Sequence, residues 1–181
     1  MKKTAVFLAL LLTLGITGCG AQKDTGSDSA EETTKEAQGE TQEGTDALTV
    51  DEASKTITVQ ATATGNTESS IHLLVNESGS NAKSAFFTTE ASTMDFYDAL
   101  VELGGIPGNN IPVDAESGTI LGSGLDVSIT VDGTEYDTYD LITASEEREM
   151  DMRFGGNVAL NQEYATGCLL CMESCSVGIA S

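Results

Sequence analysis

The sequence has no tryptophan, two prolines, one histidine and only eight basic residues. These shortages limit the partners, the metal sites and the core that the protein can have. Against 29 acidic residues the eight basic ones leave a formal net charge of −21. No nucleic-acid partner is expected, because such binding needs basic side chains that neutralise phosphates. A single histidine excludes a metal site built from several histidines of this chain. Without tryptophan, the core must consist mainly of Val, Ile, Leu, Phe and Ala.

Motifs of common catalytic and nucleotide-binding sites are also missing. The chain contains no G-x-S-x-G, no G-x-G-x-x-G and no Walker sequence. A serine triad would have to use His72, which has no partner at motif spacing, so this histidine is expected to be structural or at the surface. Acidic neighbours such as Glu146 and Glu147 are expected to be solvated. We therefore expect the protein not to be an enzyme.

The N-terminus has the features of an export signal. Two lysines precede the apolar run Ala5–Ile16, which is too short to span a bilayer as a helix, since that takes about 20 residues. The run leads into Ile-Thr-Gly-Cys at residues 16–19, which resembles the lipobox of bacterial lipoproteins. The resemblance implies that residues 1–18 are a signal peptide and that Cys19 carries lipid. The protein is thus predicted to be extracytoplasmic and anchored to the membrane through Cys19.

The segment that follows predicts a tether. Residues 20–46 contain eight acidic residues, two lysines and no apolar side chain larger than alanine. Such a stretch has too little to bury to offset the entropy of ordering, and its charges repel one another. We predict that residues 19–46 form a lipidated, disordered acidic tether and that 47–181 form one folded domain.

The folded part has the pattern of an α+β domain dominated by antiparallel sheet. Short apolar or alternating runs separated by turn residues predict six to eight strands. The predicted strands cover 48–50, 56–61, 71–75, 85–89, 125–131, 136–142 and 152–154, with a further edge at 157–160. One core helix is predicted near 93–103, because Ser92 starts a capping pattern, large apolar residues then recur at helical spacing, and Gly104-Gly105 ends it.

Three cysteines lie close together near the C-terminus, at C-x2-C-x3-C spacing within residues 168–175. On a helix Cys168, Cys171 and Cys175 would share one stripe and pack in the core. Alternatively two of them form a disulfide or a C-x-x-C redox couple, which leaves one thiol over. They are also spaced to hold an iron–sulfur cluster, in which each iron takes one thiolate. Three thiolates are one short of a structural zinc site, and no histidine is near in sequence.

Three segments together resemble a known family. Residues 71–108, the sequence MRFGGN at 152–157 and the closing GCLLCMESCSVGIAS at 167–181 are similar to the YdjY-domain family of exported lipoproteins. The resemblance implies an α+β domain and identifies Cys168, Cys171 and Cys175 as the ligands of a 4Fe-4S or 3Fe-4S cluster. This chain departs from the family at 82–84, where Ala-Lys-Ser replaces His-Glu-Ser, and at Ser176, where many members have proline.

These observations predict a membrane-anchored extracytoplasmic lipoprotein that binds an iron–sulfur cluster. It would serve as an electron-transfer or redox accessory protein, with a redox protein as partner and no catalytic site of its own. The alternative is a non-redox binding or structural lipoprotein with disulfide-linked or core-packed cysteines. A thiol oxidoreductase is less favoured, because no thioredoxin-like βαβ pattern precedes the C-x-x-C pair.

Overall fold

The computed structural model describes residues 47–108, 111–114, 118–143, 145 and 151–181, and the backbone of 6–11. Within these residues the chain forms eight strands, three short α-helices and one 3-10 turn. The strands are β1 (Val6–Leu11), β2 (Leu48–Asp51), β3 (Thr56–Ala63), β4 (His72–Asn76), β5 (Phe87–Thr89), β6 (Asp126–Val131), β7 (Thr134–Asp137) and β8 (Cys168–Cys171). The helices are α1 (Thr93–Glu102), α2 (Thr138–Leu141) and α3 (Val158–Glu163), and the 3-10 turn is Ala82–Ser84.

The predicted α+β fold with a mainly antiparallel sheet is confirmed. The strands follow the order β7-β6-β1-β3-β5-β4-β8, and β2 also pairs with β3. Among the described strand pairs, β4 and β5 are parallel and the others are antiparallel. The segment Val6–Leu11 lies within the range predicted as a signal peptide. Cys19 and the predicted tether lie outside the described residues.

Two predicted hairpins are present, and local chemistry explains both. Between β2 and β3, the Asp51 carboxylate accepts hydrogen bonds from the backbone N–H groups of Ala53 (2.9 Å) and Ser54 (3.2 Å). Between β6 and β7, Asp132 and Gly133 have φ angles of 49° and 80°. Positive φ at both central residues is the geometry of a two-residue hairpin turn, which aspartate and glycine tolerate.

The predicted core helix is confirmed as α1. Ser92 caps it, because its Oγ accepts a hydrogen bond from the Asp95 backbone N–H at 3.0 Å. The helix buries Phe96, Ala99 and Leu100 against the sheet. Among the described residues, no helix has both the length and the hydrophobicity needed to cross a bilayer.

Three strand predictions were wrong at least in part. The predicted edge at 157–160 is the start of α3, and the predicted strand 136–142 ends at Asp137, where α2 begins. The Asp137 and Asp140 side chains form a reciprocal cap that starts α2, which local alternation does not reveal. Residues 152–154 form only isolated bridges, from Arg153 to Gly124 and from Phe154 to Ala180.

The buried side chains form a main core and a smaller second cluster. The main core lies between the sheet and α1, and its largest fully buried members include Phe96, Leu100 and Phe154. The second cluster contains five buried residues, namely Val75, Ala85, Cys168, Cys171 and Cys175. The three cysteines are therefore gathered in a buried cluster separate from the main core.

Candidate metal centre

An irregular strand pair brings the first two cysteines onto one side of the sheet. In a regular strand, residues three apart point to opposite faces. Here β8 pairs with β4 with register shifts on both sides of the Leu74–Leu170 pair. As a result, Leu169 and Leu170 join the main core, whereas Cys168 and Cys171 both belong to the second cluster. The helical alternative for this segment is wrong, since Cys168–Cys171 is a strand.

The same strand pairing places the single histidine beside these cysteines. His72 is the first residue of β4 and pairs with Cys171. Its Nδ1 lies 3.6 Å from the Cys168 Sγ and 4.0 Å from the Cys171 Sγ. One ligand atom from each of the three residues lies within 4.8 Å of the other two. The sequence did not indicate this proximity, because His72 and Cys168 are 96 residues apart.

Cys175 joins from the loop that follows β8. Its backbone N–H donates to the Ser181 hydroxyl at 3.0 Å, which fixes the loop to the C-terminal residue. A hydrogen bond from the Cys171 thiol, together with the backbone N–H groups of Val177 and Gly178, lowers the pKa of Cys175 to about 6. Hydrogen bonds to a thiolate favour its charged form. Cys171 and the loop therefore both make Cys175 easier to ionise.

The three thiols differ in their readiness to ionise. Hydrogen bonds from Cys171, His72 and Asn81 lower the pKa of Cys168 to about 4. Cys171 lies next to both other sulfurs. Sharing its single proton with Cys168 and Cys175 raises its own pKa well above the usual value, as does its burial. Hydrogen bonding to Cys168 raises the pKa of His72. The pKa values of Cys168 and Cys175 are thus lowered and that of Cys171 is raised, because these thiols share hydrogen bonds.

Two asparagines hold the cysteine segment in place. The Asn81 side-chain amide donates to the Cys168 Sγ at 3.3 Å. The buried Asn161, on α3, donates to the backbone oxygens of Cys168 (2.9 Å) and Val177 (2.7 Å), and so ties β8 to the loop after Cys175. These contacts span many residues, and no sequence motif pointed to either asparagine.

A close backbone approach brings Asn81 to Cys168. A Cβ added at Gly79 would lie 2.7 Å from the Gly167 Cα, a distance that real Cβ contacts do not show. Gly167 also has a φ of 70°, which favours glycine. The two glycines therefore let the turn that carries Asn81 pack directly on the residues that enter β8.

Comparison with known proteins identifies the family. Residues 48–181 match the YdjY domain. The chain belongs to the YdjY domain family. It is also 35% identical to a protein of Escherichia coli (strain K12) named Uncharacterized protein YdjY, over 185 aligned positions that cover 99% of this chain and 79% of the relative. No solved structure matches. The family predicted from the sequence is confirmed.

The side chains gathered in this YdjY domain are chemically suited to a metal ion. Thiolates and imidazole are preferred ligands of zinc and iron. Ligands of a tetrahedral ion, at about 2.0–2.3 Å from it, lie about 3.3–3.8 Å from one another. The distances from the His72 Nδ1 to the two sulfurs, 3.6 and 4.0 Å, are close to that range. The three cysteines are free thiols in this structure.

Gly178 offers a test of how closely the loop packs on Cys171. A Cβ at this position would lie 3.2 Å from both the Cys171 Sγ and the Ala180 oxygen. We expect Gly178→Ala to weaken Zn²⁺ binding about tenfold, the usual effect of a change just outside a ligand shell, while the domain stays folded. Competition with a chromophoric chelator measures the affinity. Gly124→Ala is the control, because a Cβ there meets nothing within 4 Å. Equal affinities for the two variants would contradict the expectation.

Proposed function

We propose that this protein is a membrane-anchored, extracytoplasmic metalloprotein that transfers electrons through one metal ion bound by His72, Cys168, Cys171 and Cys175. The observation that carries the proposal is the position of the His72 Nδ1, 3.6 Å and 4.0 Å from two cysteine sulfurs. We add Cys175 as the fourth ligand because it is buried in the same cluster as Cys168 and Cys171, although its sulfur lies outside the group of three whose ligand atoms are all within 4.8 Å. This set has three thiolates and one imidazole.

A four-residue ligand set favours electron transfer or a structural role over catalysis. Catalytic zinc sites keep one coordination position for water or substrate, whereas four protein ligands fill a tetrahedral shell. Among the described residues, the group of metal-ligating side chains within 4.8 Å of one another contains no carboxylate. The sequence likewise lacks the catalytic motifs named above. Both observations support a centre that exchanges electrons without binding substrate at the metal.

Iron is the metal that gives such a site a redox function. Zinc has no redox chemistry in proteins, and with it the same four ligands would only stabilise the fold. Iron bound by thiolates changes its oxidation state, and hydrogen bonds to the sulfurs tune its potential. The bond from Asn81 to the Cys168 Sγ is of this kind. A redox protein is the partner that such a centre requires.

The iron–sulfur cluster expected from the sequence uses the same three cysteines. In a 4Fe-4S or 3Fe-4S cluster each thiolate binds a different iron, so the sulfurs are spread around the cluster. Here the ligand atoms of His72, Cys168 and Cys171 all lie within 4.8 Å of one another. That spacing supports a single ion better than a cubane. An iron–sulfur cluster is the alternative, and measurement of acid-labile sulfide distinguishes the two.

The centre lies close to the surface on the side of the histidine. Cys168 and Cys171 have no exposed surface, whereas His72 is only partly buried. We therefore assign His72 as the route by which electrons reach the partner. The membrane anchor rests on the sequence at residues 16–19, and two or three acyl chains on Cys19 hold a protein at a membrane stably, since each buried methylene contributes about 0.8 kcal/mol.

The decisive experiment is metal analysis of the protein purified without oxygen. We expect about one iron per chain, no acid-labile sulfide and a thiolate-to-iron absorption that bleaches on reduction. Iron with an equal amount of sulfide would replace the single ion by a cluster. Zinc alone would overturn the redox function and leave a structural site. Protein without metal and with a disulfide between two of the cysteines would favour the non-redox alternative.

A further inference from the structure

Strand β1 occupies the centre of the sheet, between two strands that do not pair with each other. Val6–Leu11 runs antiparallel to β3, with Val6 opposite Ala61 and Leu11 opposite Thr56. It is equally antiparallel to β6, from the pair Val6–Val131 to the pair Leu11–Asp126. Strands β3 and β6 are therefore parallel to each other and are joined through β1 alone in the strand order.

The direction of the backbone N–H groups on β3 shows which of them face β1. The Gln60 N–H donates to the Ala47 oxygen at 2.8 Å, so it points away from β1. Successive N–H groups of a strand point to opposite sides. The N–H groups of Ile57, Val59 and Ala61 therefore point toward β1. Each of these residues lies opposite a β1 residue.

Removal of β1 would open a slot for a strand. A strand edge without a partner presents unpaired N–H and C=O groups that attract another chain. Processing before Cys19, as the sequence predicts, removes Val6–Leu11. We propose that the processed domain has a strand-acceptor slot between β3 and β6 and that it binds an extended apolar segment of a partner protein. This proposal rests on the predicted processing and is independent of the metal centre.

The segment now in the slot indicates what fits it. Val6–Leu11 has the sequence VFLALL, six apolar residues without charge or proline. The middle of the slot is lined by buried residues on both sides, since Leu8 is in register with Val59 and with Ile129, which are 1% and 0% exposed. Strands buried at the centre of a sheet are rich in apolar residues. The occupant is therefore a segment about six residues long, apolar at least at every second position, and antiparallel to both neighbours.

The test uses the full chain with Cys19→Ala, which blocks processing, and a specific protease site inserted in 20–46. After cleavage of the site we expect the N-terminal fragment to stay bound to the domain in gel filtration. Leu8→Pro should release it, because proline cannot donate to β3 and distorts a central strand. Leu14→Pro, outside Val6–Leu11, is the matched control and should retain the fragment. Loss of the fragment from the chain without a proline would overturn the proposal.

Amide exchange measured residue by residue tests the slot itself. In the Leu8→Pro chain, exchange at Ile57, Val59 and Ala61 should accelerate about a hundredfold relative to the Leu14→Pro control. Gln60 is the internal reference, and its exchange should stay unchanged because its partner is Ala47. Unchanged protection at the three residues would mean that β3 closes onto another strand, which contradicts an open slot.

The last step tests binding in trans. A fluorescent peptide with the sequence of residues 5–12, flanked by lysines for solubility, is added to the Leu8→Pro chain after cleavage and removal of the fragment. We expect one peptide per chain, recovery of the slow exchange at Val59 and no binding of the peptide that carries proline at position 8. Dimerisation of the emptied chain that excludes the peptide would overturn a partner segment in favour of a second copy.

Discussion

Cys171→Ala is expected to weaken metal binding by at least about a hundredfold, which is the largest functional effect we predict for a single substitution. Cys171 is the middle sulfur of the three, in contact with Cys168 on one side and Cys175 on the other. Structural zinc sites bind with about 10–16 kcal/mol at neutral pH, shared by four ligands. Loss of one ligand should therefore cost about 3 kcal/mol of binding free energy, which raises the dissociation constant about a hundredfold. Competition titration with Zn²⁺ or Co²⁺ measures the loss.

Binding of a metal ion should depend on pH, because cysteine and histidine ligands must lose their protons. The pKa values of Cys168, about 4, and Cys175, about 6, lie below pH 7. The pKa of His72 is raised, and the raised pKa of Cys171 favours its protonated form. A metal ion must displace that proton, because the thiolate is the ligand. The affinity of the unmodified chain should therefore rise about tenfold per pH unit above pH 7. In Cys171→Ala the rise should persist at the lower affinity, because Cys168 and Cys175 lose the hydrogen bond that lowers their pKa values and the pKa of His72 is itself raised.

Ser176→Ala is the control for the cysteine variant, since it changes a neighbouring side chain outside the ligand set. It should keep both the affinity and its dependence on pH. If Cys171→Ala and Ser176→Ala bound Zn²⁺ equally well, Cys171 would not be a ligand, and packing in the second cluster would be its only role.

Local signals in the sequence were sufficient for much of the fold. The helix α1 was predictable because its cap, its apolar face and its terminating glycines all lie within about a dozen residues. The β2–β3 and β6–β7 hairpins were predictable for the same reason, since Asp51 and the Asp132-Gly133 pair determine their turns locally. The helix α3 was missed because it is only six residues long and its N-cap residue, Asn157, makes no capping hydrogen bond through its side chain, so no start signal marks it.

The candidate site was less predictable than the fold, because its residues are far apart in sequence. The cysteine spacing identified three of the four proposed ligands, but His72 and Cys168 are 96 residues apart in sequence. Only the pairing of β4 with β8 brings them together, and that register includes irregularities that no alternation pattern reveals. The sequence also did not indicate the distances between ligand atoms, on which the choice between a single ion and a cluster depends.

The largest effect on stability is expected at Phe154, which joins several parts of the main core. Its side chain is fully buried and its ring meets Tyr97 edge to face, with centroids 5.3 Å apart. Its backbone is bonded to Ser123 and Gly108, at 2.9 and 2.8 Å, so the surrounding chain is fixed and has little freedom to close a cavity. Truncation of a buried phenylalanine to alanine costs about 3–5 kcal/mol.

Phe154→Ala should therefore remove a large part of the stability of the domain, since small proteins are stable by only about 5–15 kcal/mol. Urea unfolding of the metal-free protein measures the change, and the midpoint should fall while the slope stays constant. Ile106→Ala is the control, because that side chain is 70% exposed and should change stability by less than about 0.5 kcal/mol. Phe154 belongs to the main core and the cysteines to the second cluster, so the variant should still bind Zn²⁺ where it is folded. A loss below about 1 kcal/mol would show that the main core does not depend on this ring.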